Sequence, residues 1–425
     1  MPFAALRNRD FRIFWIGLTL SGAGHQFTTV AMAWQIYELT NSALQIGLLG
    51  LARAVPQAAL LLVGGLLADA VDRRRLLMWT QVGQLCVSAV LTVATVAGWV
   101  SPGFLYAATA LLALFTALEN PARNAIVPNL VPRVDLTNAL ALNSTQRQVS
   151  QLAGPSLAGV LIAASGPALC YGLDTGSWLV MLGSLVLMRA RPQAAGGMRS
   201  ISVGALREGI GFVWTHPVIF SMMALDFGMT LFGQPRALMP VYARDILQVG
   251  PEGLGLLYSA TSAGAIAVAA LMSMLGGVRR AGLLVLLGVA VFCVCTVLFG
   301  MSTVFWFSLL MLAGEGAGNT LGAVLRQTIN QLSTPDELRG RVGSVNNIFT
   351  TSGPQFGQFR SGVVAELMGP QFSVVAGGFG ALAVLAVIAI GVPVVRRFEI
   401  TGTMAAHEER GTESPRAGAR GGEHV

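Results

Sequence analysis

Twelve apolar stretches, each long enough to cross a membrane, dominate this sequence. They fall at roughly residues 11–37, 43–69, 76–98, 102–126, 136–164, 167–188, 217–243, 252–276, 281–300, 303–329, 338–364 and 370–395. A helix needs about 20 residues to cross a hydrocarbon core of about 30 Å. With 11% charged residues, the chain lies far below the roughly 25% typical of soluble domains. The prediction is an all-α membrane protein with twelve transmembrane helices, since helices satisfy their own backbone hydrogen bonds in lipid.

Basic residues are concentrated in alternate connections between these stretches. The residues concerned are Arg7, Arg9, Arg12, Arg73 to Arg75, Arg133, Arg189, Arg191, Arg199, Arg207, Arg279, Arg280, Arg339, Arg341, Arg396 and Arg397. Arg244 is the clear exception. By the positive-inside rule, both termini are predicted to be cytoplasmic. A nucleic-acid partner is not expected, because its binding site would gather the basic residues on one face.

Two segments interrupt the hydrophobic rhythm. Residues 189–216 contain ALREGIGFVWTH, and helical spacing gathers Leu206, Ile210, Val213 and Trp214 toward one side. We therefore expect an amphipathic helix on the cytoplasmic membrane surface. Residues 398–425 have no apolar face and are predicted to be a disordered tail. The chain thus divides into a six-helix half at 1–188, this linker, and a second six-helix half at 217–397.

The two halves repeat each other. At an offset of 206 positions, Gly47 and Arg73 match Gly253 and Arg279. At an offset of 203 positions, further residues match. These are Arg123, Ile126, Pro132, Asn143, Gly154 and Gly159 with Arg326, Ile329, Pro335, Asn346, Gly357 and Gly362. Duplication of a six-span unit predicts two pseudo-symmetric halves related by an axis along the membrane normal, which can rock about a site at the midplane.

These features resemble the major facilitator superfamily. The loop signature that the family carries between spans two and three appears as Gly65, Asp69, Arg73 and Arg74. Ala70 stands where a basic residue is usual and Asp72 where a glycine is usual. The runs LADAVDRRRLL, PARNAIVPNLVP and REGIGFVWTHP are most similar to the branch of macrolide and enterobactin-type siderophore exporters. The resemblance implies the inner membrane of a bacterium.

The resemblance also implies a gate at the signature turn. Asp69 would contact the N-terminus of span eleven near Glu337, where a helix end presents partial positive charge. The alternative is that Asp69 only pairs with Arg73 four residues on. The second half has Leu275 in place of the acid, so such a latch would be asymmetric.

Span five carries a motif similar to the antiporter signature of the superfamily's exporters. It consists of Ser150, Gly154, Pro155, Ala158 and Gly159, with Ser150 and Ala158 replacing glycines. Small residues four apart allow close helix packing, and Pro155 removes a backbone hydrogen bond. Because span eleven has a similar pattern, generic packing is the alternative to a role in export.

Acids inside the spans are candidates for proton coupling, because a buried charge is costly unless it has a function or a partner. Asp226 and Glu315 lie far from the ends of their spans. The alternative is that each is neutralised in an ion pair, the available partners being Arg147, Arg236 and Arg326.

Other polar residues in the spans have equally open roles. Glu119 and Arg123 are spaced to pair within span four, although the family often ties a span-four arginine to proton coupling. His25 and Gln26 lie mid-span in a helix that lines the family's cavity. A histidine there can titrate or simply pack.

The predicted function is secondary transport, namely proton-coupled export of a small amphipathic compound such as a drug, macrolide or siderophore. The partners are protons, that compound and the lipid bilayer, with the monomer as working unit. No Walker A loop, metal cluster or nucleophile elbow is present in the sequence, so we expect no cofactor and no enzyme. The alternatives are an uptake permease on the same fold and a non-transporting sensor or scaffold.

Overall fold

The computed structural model describes residues 4–70, 73–189, 203–233, 235–274, 280–335 and 338–399. For 61–70, 73, 121, 124, 125 and 203–206 it describes the backbone alone. Within these ranges the regular structure is entirely helical. The first half comprises α1 (Arg9–Thr40), α2 (Ala43–Ala70), α3 (Arg73–Val96), α4 (Pro102–Ile126), α5 (Leu136–Ser165) and α6 (Pro167–Leu187). Each matches one predicted span to within three residues at either end.

A short linker helix, α7 (Val203–Thr215), leads into the second half. The helices of that half are α8 (Pro217–Phe232), α9 (Met239–Val241), α10 (Gly250–Met274), α11 (Ala281–Met301), α12 (Phe305–Ser333), α13 (Arg339–Met368), α14 (Pro370–Gly391) and α15 (Pro393–Arg396). The all-α membrane fold predicted from the sequence is confirmed. Seven of the described helices are long and apolar enough to cross a membrane by length and composition alone.

The longest helices are also among the most polar. α1, α5 and α13 have 32, 30 and 30 residues but do not count among the seven apolar spans. Their polar side chains face a cavity between the halves, as described below. Hydropathy therefore undercounts the helices that line the interior.

Proline and glycine set the ends of several helices. α6 begins at Pro167 after Gly166, and α14 begins at Pro370 after Gly369. Both glycines have positive φ, 76° and 92°, a backbone conformation that glycine adopts without strain. Proline at the first helical position loses no hydrogen bond. The same two-residue turn thus recurs at equivalent places in the two halves.

The seventh predicted span is broken rather than continuous. α8 ends at Phe232, a 3₁₀ turn covers Pro235–Leu238, and a π-helical turn covers Tyr242–Ile246 after α9. Pro235 and Pro240 lack the amide hydrogen that a continuous helix requires. The break places Arg236 beside the cavity.

The linker helix α7 docks on the second half. Val213 is buried with Ile219, Met223, Val342 and Val345. Ile210 and Trp214 of α7 are 40% and 70% exposed, and the location of this helix on the membrane surface stays a prediction. The side chain of Leu206 lies outside the described residues, as do residues 190–202 and the tail beyond 399.

Two glycine crossings hold the halves together. A Cβ on Gly362 of α13 would lie 2.7 Å from the Cα of Gly47 of α2. A Cβ on Gly255 of α10 would lie 3.2 Å from the Cα of Gly159 of α5. Gly159 and Gly362 are a matched pair of the internal repeat, so the two crossings follow the pseudo-symmetry.

Candidate functional site

A cavity of about 460 Å³ lies between the two halves. Its size is within the range of about 300–1,000 Å³ found for small-molecule sites. Its wall is mostly polar and draws on α1, α2, α4, α5, α10, α13 and the broken seventh span. The polar residues are His25, Gln26, Thr28, Thr29, Arg53, Gln57, Thr109, Thr116, Gln151, Arg236, Tyr258, Gln355 and Gln358.

Two arginines from opposite halves face this cavity. Arg53 projects from α2 and Arg236 from the break in the seventh span. Among the described residues, neither guanidinium has a hydrogen-bonded or ion-paired partner. Both lie within electrostatic range of Tyr258, whose hydroxyl donates to the carbonyl oxygen of Arg236 at 3.4 Å. Arg53 was not among the residues predicted for the cavity, although a lone arginine within the apolar stretch 43–69 was the available signal.

Glutamines join α13 to α2 along one wall. Gln355 donates from Nε2 to Oε1 of Gln57 at 2.9 Å, and Gln358 donates to the carbonyl oxygen of Ile46 at 3.1 Å. The Oε1 atom of Gln355 is buried and has no hydrogen-bond partner among the described residues. The wall thus retains a free hydrogen-bonding group.

The structure places three of the predicted cavity residues in the wall. His25, Gln26 and Arg236 line the cavity. Arg147 is exposed on α5 and is not among the lining residues.

Asp226 is joined to Arg326 in an ion pair. The Nη2 atom of Arg326 lies 2.7 Å from Oδ1 of Asp226, and the arginine side chain is 4% exposed. Arg326 was one of three candidate partners in the sequence. The pair connects α8 to α12 and lies outside the lining of the cavity.

Glu315 is the acid with the least compensation. It is 3% exposed, and its Oε2 atom has no hydrogen-bond partner among the described residues. It lies within electrostatic range of Arg236, the cavity arginine of the same half. A change in the charge of Glu315 would therefore alter the electrostatic potential at Arg236 in the cavity wall.

Glu119 and Arg123 form the predicted pair within α4. Their closest atoms, Oε1 and Nη1, are 3.6 Å apart. Gln84 of α3 donates a second contact to Glu119 at 3.2 Å. Glu119 is 4% exposed, and these two contacts give its carboxylate the partners that a buried acid requires.

A further buried acid, Asp174 of α6, was missed by the sequence analysis. It is fully buried, and its Oδ2 atom accepts hydrogen bonds from Thr28 at 2.7 Å and Ser88 at 2.6 Å. Thr28 also lines the cavity. Asp174 is the one acid in the apolar stretch from 167 to 188, and that isolation was the available signal.

The span-five motif contacts both halves. Gly154 packs against α1, where an added Cβ would lie 2.8 Å from Cγ of Gln26. Pro155 lines the cavity, while Ser150 and Ala158 are buried. Gly159 makes the crossing with α10. The motif therefore connects the cavity helix α1 to the opposite half.

The signature turn is only partly described. The side chains of Gly65, Asp69 and Arg73, together with Asp72 and Glu337, lie outside the described residues. Arg74 is described and donates from Nη2 to the carbonyl oxygens of Leu185 at 2.6 Å and Met188 at 3.3 Å. It thereby satisfies carbonyl groups at the C-terminal end of α6, which would otherwise lack intrahelical partners.

Polar contacts join the halves at the end of the bundle where α1 meets α2. We call this the closed end, defined by Tyr37, Ser42, Arg244, Asp245 and Glu366. Tyr37 donates its hydroxyl to Asp245, and the Arg244 guanidinium lies 5.7 Å from the Tyr37 ring. Glu366 accepts from Ser42 at 2.8 Å and from the amide of Leu44 at 3.2 Å.

Comparisons with known proteins agree with this architecture. A model of the family described as transmembrane secretion effectors matches residues 1–411. The enterobactin exporter EntS of Shigella boydii is 28% identical over 402 residues, covering 92% of this chain and 94% of the relative. A bacterial homologue of the lysosomal transporter spinster, in an inward-facing occupied conformation, has a TM-score of 0.69 at 14% identity and 92% and 97% coverage. The nucleoside transporter NupG has a TM-score of 0.70 at 11% identity and 90% and 98% coverage.

Proposed function

The chain belongs to the transmembrane secretion effector family of the major facilitator superfamily, and we propose that it exports a small organic compound in exchange for protons. It is a multi-pass membrane transporter of the siderophore-exporter branch and not an enzyme. The observation that carries the proposal is the polar cavity between two pseudo-symmetric halves that touch at the closed end. Residues 1–188 and 217–397 are the halves that would rock about it.

Export fits the arrangement of the chain in the membrane. The arginine distribution predicts cytoplasmic termini, and α1 runs from that side to Thr40. The closed end would then face away from the cytoplasm, so any opening of the cavity in this state would be toward the cytoplasm, as it would be in one state of either an exporter or an importer. The support for export comes from the span-five motif, which resembles the antiporter signature of exporters and contacts both α1 and α10.

Glu315 is a better candidate than Asp226 for the residue that binds and releases the proton. Glu315 is buried and incompletely paired and acts electrostatically on Arg236, whereas Asp226 already has Arg326 as its partner. One proton crossing 100 mV supplies about 2.3 kcal/mol. Since about 1.4 kcal/mol corresponds to a tenfold concentration ratio, one proton per cycle suffices for a useful export gradient.

The substrate is proposed to be a small amphipathic compound. The relatives are enterobactin exporters, which makes catecholate siderophores the first compounds to test. Macrolides and amphipathic dyes are further candidates, because the sequence motifs resemble those of macrolide efflux proteins.

Inside-out membrane vesicles provide the test. Adding a transported compound should release protons from the acidified interior in vesicles that contain the wild-type protein. Glu315→Gln should abolish this release, and Glu38→Gln, which removes an exposed acid from α1, should leave it unchanged. If catecholates, macrolides and dyes all leave the gradient unaltered, the antiporter proposal fails.

An uptake permease is the second candidate, favoured by the absence of glycine at positions 150 and 158 of the motif. The direction of accumulation separates the two. Uptake of compound into inside-out vesicles indicates export from the cell, while loss of preloaded compound driven by the gradient indicates import. A non-transporting sensor or scaffold would move the compound in neither direction.

A further inference from the structure

We propose that the substrate is an organic anion held between Arg53 of the first half and Arg236 of the second. This inference rests on the proposed function and specifies its substrate class. Its basis is the charge of the cavity wall, which the described residues make positive on both sides.

Neither arginine of the wall has a hydrogen-bonded or ion-paired acid among the described residues. Among the described residues that line the cavity there are two arginines and no aspartate or glutamate. Three acids within the spans contact groups outside the pair of arginines. Asp226 pairs with Arg326, Glu119 contacts Arg123 and Gln84, and Asp174 accepts from Thr28 and Ser88.

Two buried acids lack a full set of partners, since Oε2 of Glu315 and Oδ1 of Asp174 have no hydrogen-bond partner among the described residues. Neither lines the cavity. Glu315 lies within electrostatic range of Arg236 and offsets part of its positive charge, while Asp174 is hydrogen-bonded to Thr28 of the cavity wall. Arg53 acts electrostatically on His25 and Tyr258, neither of which is an acid. The described residues that line the cavity therefore carry a net positive charge.

An anion would complete this site. A guanidinium in a partly buried position is costly to leave unpaired, and a carboxylate, phosphate or catecholate oxygen gives it the fork-shaped partner that it fits best. The nearby glutamine amides and threonine hydroxyls supply further donors to an oxygen-rich molecule. A cationic compound would meet two like charges and lose affinity.

The position of the two arginines would let a bound anion link the two halves. Arg53 belongs to α2 and Arg236 to the break in the seventh span, so a ligand that contacts both bridges the halves that move against each other. Binding would thus favour the state in which both arginines reach the same molecule.

Two dyes built on one ring frame test the charge preference. Fluorescein is an anion above neutral pH, and tetramethylrhodamine methyl ester is a cation. Fluorescence polarisation with the purified full-length protein in lipid nanodiscs measures the Kd of each dye. We expect wild-type protein to bind fluorescein more tightly than the rhodamine ester.

The variants assign this preference to the two arginines. Arg53→Gln and Arg236→Gln should each raise the Kd for fluorescein by about tenfold to a hundredfold, the usual effect of losing a hydrogen bond to a charged group. Arg53→Lys should retain part of the affinity. Arg133→Gln, which removes one exposed positive charge outside the cavity, should have no effect.

Three results would overturn the inference. They are tighter binding of the rhodamine ester by wild-type protein, unchanged fluorescein affinity in both single glutamine variants, and unchanged fluorescein affinity when Arg53→Gln and Arg236→Gln are combined. Binding is measured without transport. Arginine-dependent binding of fluorescein without its uptake into inside-out vesicles would therefore refute export and leave the substrate class standing. Export of cationic dyes alone would refute the anionic substrate class and leave export standing.

Discussion

Arg326 of α12 donates a hydrogen bond of 2.7 Å to Asp226 of α8. The two residues are 100 positions apart in the chain, and the arginine side chain is 4% exposed. The matching arginine of the first half, Arg123, pairs within its own helix with Glu119. The internal repeat therefore preserved the arginine, while each half neutralises it in a different way.

The Asp226–Arg326 pair predicts a stability defect in Asp226→Asn. Removing one partner of a buried ion pair leaves an uncompensated charge, which typically costs about 3–5 kcal/mol. Thermal unfolding of the purified variant should therefore occur at a clearly lower temperature, and replacing Arg326 with Gln as well should restore part of the loss. A variant of wild-type stability that has lost only proton-coupled transport would instead make Asp226 a coupling residue.

The crossing of α2 and α13 predicts that Gly362→Leu blocks transport. Any side chain at this position would meet the backbone of Gly47, so the closed end could not form. Gly343→Leu on the same helix is the matched control, because a Cβ there meets no atom within 4 Å. Transport per molecule of inserted protein should fall at least tenfold in the first variant and remain near wild type in the second. Equal activity of the two would show that the halves need not meet here.

The signature turn predicts that Asp69→Asn impairs switching but not insertion. A carboxylate at a helix N-terminus typically contributes about 0.3–1 kcal/mol, and more when partly buried, so losing it would weaken the proposed latch. Export should slow while the amount of protein in the membrane is unchanged. Arg75→Ala, which alters the same turn and leaves the Asp69 carboxylate in the chain, should have the smaller effect. Equal loss in both variants, or normal export in Asp69→Asn, would reduce the turn to a topology signal.

An anionic substrate predicts that the membrane potential assists export. Each negative charge that leaves a compartment held at −100 mV gains about 2.3 kcal/mol, roughly a fiftyfold concentration ratio. Exchange for a proton adds to this charge movement. In proteoliposomes loaded with fluorescein, an inside-negative potassium diffusion potential should accelerate efflux, and the reversed potential should slow it. Efflux that is independent of the potential would contradict the movement of net charge.

Local features of the sequence determined the helices. Long apolar runs set the spans because a backbone in lipid must form its own hydrogen bonds. The Gly166–Pro167 and Gly369–Pro370 turns set helix ends because glycine adopts the positive φ without strain and proline starts the next helix. The repeat of Gly159 at Gly362 anticipated two equivalent places in the halves. The break in the seventh span was not anticipated, although Pro235 and Pro240 were its signal.

Only the tertiary structure decided which polar groups meet. Hydropathy shows that Asp226 and Arg53 lie inside spans, but whether each finds a partner depends on the rotation and crossing of helices far apart in sequence. Packing brought Arg326 to Asp226 and brought no acid to Arg53 among the described residues. The sequence therefore determined a two-half membrane transporter, and the packing of its helices determined that two arginines without an ion-paired acid among the described residues face the cavity.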